Sequence, residues 1–147
     1  MKTLKESILS STKTGKAAVL IPKTKDELKQ MIANEIEEKG LNCDLNNIKT
    51  HKITDMSFLF ADSKFVGNIS KWDVSNVETM CGMFWESKFD GDISKWDVSN
   101  VENMSTMFWN SNFDSDISNW KINDNCDTSN MFYKCQIKDR YKPKQKW

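Results

Sequence analysis

The apolar positions of this chain recur every 24 residues. Met56, Met80 and Met104 share one column, and Phe60, Phe84, Phe108 and Phe132 share another. Trp72, Trp96 and Trp120 form a third, and Ile69, Ile93 and Ile117 a fourth. A fixed period in the range of about 20 to 50 residues marks one short unit copied and stacked on itself. The stretch from Phe65 to Met80 matches Phe89 to Met104 at 13 of 16 positions. Leu41, Leu45, Ile48, Thr50 and Ile53 stand 24 residues before Phe65, Ile69, Trp72, Val74 and Val77, so half a repeat precedes the first full one. At the other end Asn125 and Thr128 occupy columns that held Val101 and Met104, which is the decay expected of a terminal cap.

Two periodicities follow each other inside a unit. Trp72 and Val74 alternate with Lys71, Asp73 and Ser75, a period of two that predicts a short strand with one face buried. Val77, Met80, Met83 and Phe84 follow the spacing of one or two helical turns. Ser75 and Asn76 between them are turn formers, and Glu86 to Asp92 reads as a return loop. The expected fold is therefore an α/β repeat: a short, right-handed, leucine-rich-repeat-like solenoid with parallel strands on one side and short helices on the other. Equivalent residues of successive units would form ladders, with the tryptophans stacked inside.

The lead-in differs. Thr24 to Glu27 fits a capping box, Gly40 follows Lys39, and Leu28, Met31, Ile32 and Ile36 share one face of residues 25–39. Glu35, Glu37, Glu38 and Lys29 fall largely on the other face. This segment predicts an amphipathic helix that covers the open first unit. Before it, Leu4, Ile8 and Leu9 suit a short helix, Ser10 to Lys16 a link, and Ala17 to Ile21 a short strand. The division is then 1–40 for the extension and capping helix, 41–135 for the repeats and 136–147 for a basic tail. The repeats divide at 41–52, 53–76, 77–100, 101–124 and 125–135.

A chain of 147 residues with 38% hydrophobic content supports one core rather than two. The longest apolar run near the start, Ala17 to Ile21, is shorter than an export signal or a membrane span requires, which predicts a cytoplasmic or virion-associated protein. Net charge is zero, yet residues 1–30 carry seven lysines against three acids and residues 136–147 five bases against one acid. The body between therefore carries −8, which disfavours nucleic acid along its main surface. The tail of Lys138, Arg140, Lys142, Lys144, Lys146 and Trp147 is either a solvated terminus or a contact for an acidic partner.

Four groups carry the candidate chemistry. Cys43, Cys81, Cys126 and Cys135 lie in four different columns with no CxxC, so they predict free thiols rather than zinc, with pairing of Cys126 and Cys135 left open. His51 is the lone histidine and has no ligand-spaced companion. Asp90, Asp92, Asp114 and Asp116, with Asp44 and Asn68 extending one column, either supply turn chemistry or hold calcium between units. Trp85, Trp109 and Tyr133 each follow a column phenylalanine, and form a row that suits a sugar or a protein anchor. No cofactor and no catalytic group is expected.

The strings Phe-Asp-Gly-Asp-Ile-Ser-Lys-Trp-Asp-Val-Ser-Asn-Val (89–101) and Met-Ser-Thr-Met-Phe (104–108) resemble the BspA-like surface-protein repeats, a leucine-rich-repeat-type group also found in mycoplasma lipoproteins. The resemblance covers about residues 41–135, and the lead-in Leu41 to Ile48 is similar too. Met1 to Ser7 is similar to starts seen in gut bacteria and their phages. The resemblance implies protein or host-surface binding without enzymatic activity, and a cell-surface location as the alternative. The expected function is a non-enzymatic binding module for a protein partner. Its predicted contact grid is the solvent face of the strands: Lys71, Asp73 and Ser75, then Lys95, Asp97 and Ser99, then Asn119, Lys121 and Asn123. The competing readings are a carbohydrate-binding adhesin using Trp85, Trp109 and Tyr133, and a structural piece of an assembly such as a phage particle. Self-association through the ends of the stack is also expected.

Overall fold

The computed structural model describes residues 19–145 and 147. The expected helix of Leu4 to Leu9, the link of Ser10 to Lys16, and Ala17, Ala18 and Lys146 lie outside the described residues. Among those described, helix α1 spans Lys25–Lys39 and one 3-10 turn spans Asp139–Tyr141.

Helix α1 starts where the Thr24 hydroxyl accepts from the Glu27 N–H at 3.2 Å, and it ends at Gly40, which adopts φ +93°. Glu27 reaches back one residue further than a capping box requires, its carboxylate accepting from the Lys23 N–H at 2.8 Å. Leu28, Met31 and Ile32 bury against the first unit. Glu35, placed on the outer face by the sequence, is buried as well. Lys39 and the Asn47 side-chain amide both donate to its carboxylate, so the charge is paired where it is buried.

The predicted parallel strands and short helices are not formed: the described residues contain no sheet, and strand-type pairing between units is limited to single parallel bridges. The leucine-rich-repeat-like strand-and-helix fold is overturned by this finding. What recurs every 24 residues is a set of turns. The bridges Asp55 to Thr79, Thr79 to Asn103 and Asn103 to Asp127 keep the 24-residue register, and Asp44 to Asn68 extends it to the leading half unit. Leu20 adds one more layer, bridging to Ile48 and exchanging bonds with Asn47 and Lys49.

The reason lies in where the backbone donors go. Trp72 and Val74 are buried and Lys71 and Asp73 exposed, so the alternation is real in burial. Yet the N–H groups of Ser70 and Ser75 turn back to the side chains of Asn68 and Asp73. Those of Trp72 and Val77 bond to the carbonyls of Ile69 and Val74, three residues earlier. Donors spent inside the unit cannot build a ladder between units.

The expected helical turn meets the opposite fate. Met80, Gly82, Phe84 and Glu86 donate to the carbonyls of Asn103, Ser105, Met107 and Trp109 of the next unit, at 2.8 to 3.0 Å. Met83, Trp85 and Ser87 donate three residues back. Every second N–H thus leaves the unit, and no α-helix can form. The left-handed conformations that permit this fall at matching columns: Phe58, Gly82, Thr106 and Asn130, then Asp62, Glu86, Asn110 and Lys134.

The core is a set of aromatic columns. Phe60, Phe84, Phe108 and Phe132 stack with ring centroids 5.5 to 5.7 Å apart. Phe65, Phe89 and Phe113 stand beside them at 6.1 and 6.4 Å. The indole N–H groups of Trp72, Trp96 and Trp120 each donate to a carbonyl of the preceding unit, those of Leu45, Ile69 and Ile93. A buried tryptophan here satisfies its polar atom and ties two units together.

Candidate functional site

The predicted grid residues lie at the surface, Ser75 half-buried and the others exposed, and they divide into two chemical kinds. The ammonium groups of Lys71, Lys95 and Lys121 are exposed and take part in no hydrogen bond or ion pair among the described residues. Lys71 and Lys95 occupy one column of the repeat, while Lys121 continues the column of Asp73 and Asp97.

Asp73 and Asp97 hold local turns. The Asp73 carboxylate accepts from the Ser75 N–H at 3.0 Å and from its hydroxyl at 2.6 Å. Asp97 does the same for Ser99 at 3.1 and 2.6 Å. Asn123 accepts from the Asn125 N–H, and Asn119 donates to the Ser94 carbonyl of the preceding unit. Asn76 and Asn100 donate in the same way to the carbonyls of His51 and Ser75. His51 contributes its backbone to this web, and its side chain is exposed. The Asx-x-Ser spacing that produces these caps, visible from Asp55 to Ser129, was the missed signal in the sequence.

The same chemistry accounts for the carboxylates considered for calcium. Asp92 and Asp116 accept from the N–H groups of Ser94 and Ser118. Asp90 accepts from the Asp114 N–H and the Ser115 hydroxyl, and Asp114 accepts from both the N–H and the ammonium of Lys138. Among the described residues no three His, Cys, Asp or Glu side chains converge as a metal site. The turn-chemistry reading is the one that the geometry favours.

These bonds hold the carboxyls of Asp73 and Asp97 below their ordinary range, through the serine hydroxyl first and the backbone N–H second. A folded-state value below the unfolded one contributes stability above the unfolded pKa of about 3.9, and that contribution is lost as pH falls through the lowered folded value. Converting Asp73 and Asp97 to Asn keeps an acceptor for Ser75 and Ser99 while removing the titration. The double variant is expected to give a shallower acid limb in urea-unfolding stability measured from about pH 7 to pH 2. An unchanged limb would show that the caps contribute nothing to acid unfolding.

The aromatic row is present in part. Trp85 and Trp109 are half-buried and Tyr133 is exposed. The Trp109 and Tyr133 rings lie 4.3 Å apart, tilted by 37°. Neither indole N–H of Trp85 or Trp109 has a partner among the described residues, in contrast to the three core tryptophans. Phe58, which the sequence did not single out, is also exposed. Its ring covers Gly82 of the next unit so closely that a Cβ there would lie 2.2 Å from it.

All four cysteines are free, Cys126 and Cys135 included. Burial pushes the thiols of Cys43, Cys126 and Cys135 up, away from thiolate chemistry. Among the described residues no helix is long and apolar enough to cross a membrane.

A family model described as "Mycoplasma protein of unknown function, DUF285" matches residues 26–147. Neither a curated protein nor a solved structure matches the chain. The family match spans α1 and all the 24-residue units, which agrees with the mycoplasma side of the sequence resemblance.

Proposed function

Since the chain belongs to the DUF285 family of mycoplasma proteins, we propose that it is a non-enzymatic module that binds a protein partner through the face carrying Lys71, Lys95 and Lys121. The observation that carries this reading is the contrast on that face between committed and uncommitted side chains. Aspartates and serines lock the turns, and the side chains of the lysines between them are in no hydrogen bond or ion pair among the described residues. A backbone fixed in this way reduces the ordering cost of binding, and an unpaired ammonium gains a partner without breaking an internal ion pair.

The reading also follows the BspA-like surface proteins that the repeat text resembles. Changing Lys71, Lys95 and Lys121 together to Glu is expected to cut partner capture from a lysate of the source organism at least about tenfold, with thermal stability nearly unchanged because the sites are exposed. Undiminished capture of the same partner would refute the assignment.

The tilted Trp109 and Tyr133 pair favours a second reading, a carbohydrate-binding adhesin, since a half-buried and an exposed ring at neighbouring repeat positions offer a stacking face to a sugar. A glycan array probed with the chain and with its Trp109→Ala variant separates the two readings.

A further inference from the structure

One turn of the repeat is built three times, and its first copy differs at the cap. Ile53, Val77 and Val101 donate to the carbonyls of Thr50, Val74 and Val98 at 2.9 to 3.1 Å, so the three turns close alike. Asn76 and Asn100 brace the first two from the following unit, through the carbonyls of His51 and Ser75. In the second and third copies the carboxylate of Asp73 or Asp97 accepts from the N–H of the serine two residues on. In the first copy Lys49 stands in the aspartate column and His51 in the serine column. The His51 N–H therefore has no such acceptor, and it bonds to no group among the described residues.

A cavity of about 340 Å³ opens at this first turn, lined by Ile48, Lys49, Thr50, His51, Lys71 and Asp73. Its frame is fixed: Lys49 donates its N–H to the Leu20 carbonyl at 2.7 Å, and the buried Thr50 donates its hydroxyl to the Asp73 carbonyl at 2.8 Å. Its charges are not paired with acids. The Lys49 ammonium reaches the Asn46 carbonyl at 3.0 Å, and the Lys71 ammonium bonds to nothing among the described residues. Asp73 is the one acid of the lining, and one of its carboxylate oxygens already accepts both Ser75 donors. Two lysines against one aspartate give the lining a formal charge of +1, whereas the equivalent positions of the next turn hold Lys95 against Asp73 and Asp97, or −1. An unpartnered backbone donor and a positive surplus thus coincide where the later turns carry their own carboxylate.

We infer that this cavity binds a carboxylate side chain, an aspartate or glutamate presented by the protein partner. The carboxylate takes the place beside His51 that Asp73 and Asp97 hold beside their own serines. It accepts from the His51 N–H and is neutralised by the ammonium groups of Lys49 and Lys71, and bonds assisted by charge in this way are about twice as strong as neutral ones. A surplus of one positive charge matches a single carboxylate better than a phosphate dianion, which the Asp73 carboxylate on the rim would repel. The inference rests on the lysine-face reading for the partner's approach, because Lys71 belongs to both, and it adds what that partner must present.

The test is an NMR titration of the full chain with N-acetyl-aspartate α-amide, a blocked residue with one carboxylate, at constant ionic strength. The His51 amide proton is expected to move downfield and saturate, with half-saturation at roughly 10 to 100 mM for so small a probe, while the capped amides of Ser75 and Ser99 stay in place. The neutral asparagine analogue should leave all three unmoved. Lys49→Asp restores the internal carboxylate: it is expected to shift the His51 amide without any probe and to weaken the response to the probe at least about fivefold. Lys49→Ala should weaken that response without shifting the free amide. The proposal is overturned if the probe leaves the His51 amide unmoved, if the asparagine analogue acts equally, or if Lys49→Asp responds like the unaltered chain. It is likewise overturned if inorganic phosphate acts at a lower concentration than the aspartate probe, which would make the ligand a phosphate. A saturable His51 shift combined with undiminished partner capture by the variant changed at Lys71, Lys95 and Lys121 would refute the lysine face and leave the carboxylate site standing. Lost capture with no His51 shift would refute the site alone.

Discussion

Replacing Phe84 by Ala is expected to cost about 3 to 5 kcal/mol of unfolding free energy, against the roughly 5 to 15 kcal/mol that holds an ordinary small domain folded. Phe84 is fully buried, and its ring meets Phe60 at 5.7 Å, Phe108 at 5.5 Å, Phe89 at 4.8 Å and Trp96 at 6.4 Å. It belongs to the middle of the column, so the cavity left by truncation is walled by other rings that are themselves held in register. Its own N–H and those of Gly82 and Glu86 donate to the next unit, which limits collapse into the gap. Phe132 supplies the comparison: chemically identical and in the same column, but only half-buried, with Lys142 and Trp147 as its outer neighbours. Phe132→Ala is expected to cost roughly half as much or less, because water can enter the site. Urea unfolding of the two variants decides the matter. Equal losses would mean that the column does not act as a continuous core.

How far the sequence determined this arrangement can be judged column by column. The 24-residue register, the inward direction of Met80, Phe84, Phe89 and Trp96, and the helix that covers the first unit were all legible, because burial repeats with the text. The backbone was not. Alternation at Trp72 and Val74 suggested a strand, and the spacing of Val77, Met80 and Met83 a helix, yet both patterns also arise from a chain of turns. Side-chain periodicity reports which residues face inward, not where the N–H groups go. The left-handed residues were equally hidden, since Phe58, Glu86 and Thr106 are types that seldom adopt positive φ. At the candidate face the exposed charges were legible but their internal bonds were not: Asp73 and Asp97 accept from their own serines, while the Lys71 and Lys95 side chains form no ion pair among the described residues.

Gly67 to Ala is the second large effect expected, and Gly91 to Ala is its internal control. A Cβ at Gly67 would lie 2.0 Å from the Cys43 carbonyl oxygen, and 2.6 Å from the Phe65 ring. The carbonyl belongs to the backbone of the preceding half unit, and it already accepts from the Asn68 N–H at 3.0 Å. Relief therefore requires the leading half unit to move, at the layer where Leu45 donates to the Asn68 carbonyl and Trp72 holds the Leu45 carbonyl. At Gly91 a Cβ would press on the Phe89 ring at 2.7 Å, but the nearest backbone atom, the Gly67 carbonyl oxygen, stands 3.5 Å away. Ser115 occupies the next position of the same column and does carry a Cβ, so the repeat tolerates a side chain where the backbone gives room. Gly67→Ala is expected to destabilise by more than about 2 kcal/mol, the cost of overpacking against a fixed wall, and Gly91→Ala by about 1 kcal/mol or slightly more. Thermal and urea unfolding of both variants measure the difference. If the two lose equal stability, the close approach at Cys43 does not constrain the first layer, and the junction between the half unit and the first full unit must be looser than its hydrogen bonds imply.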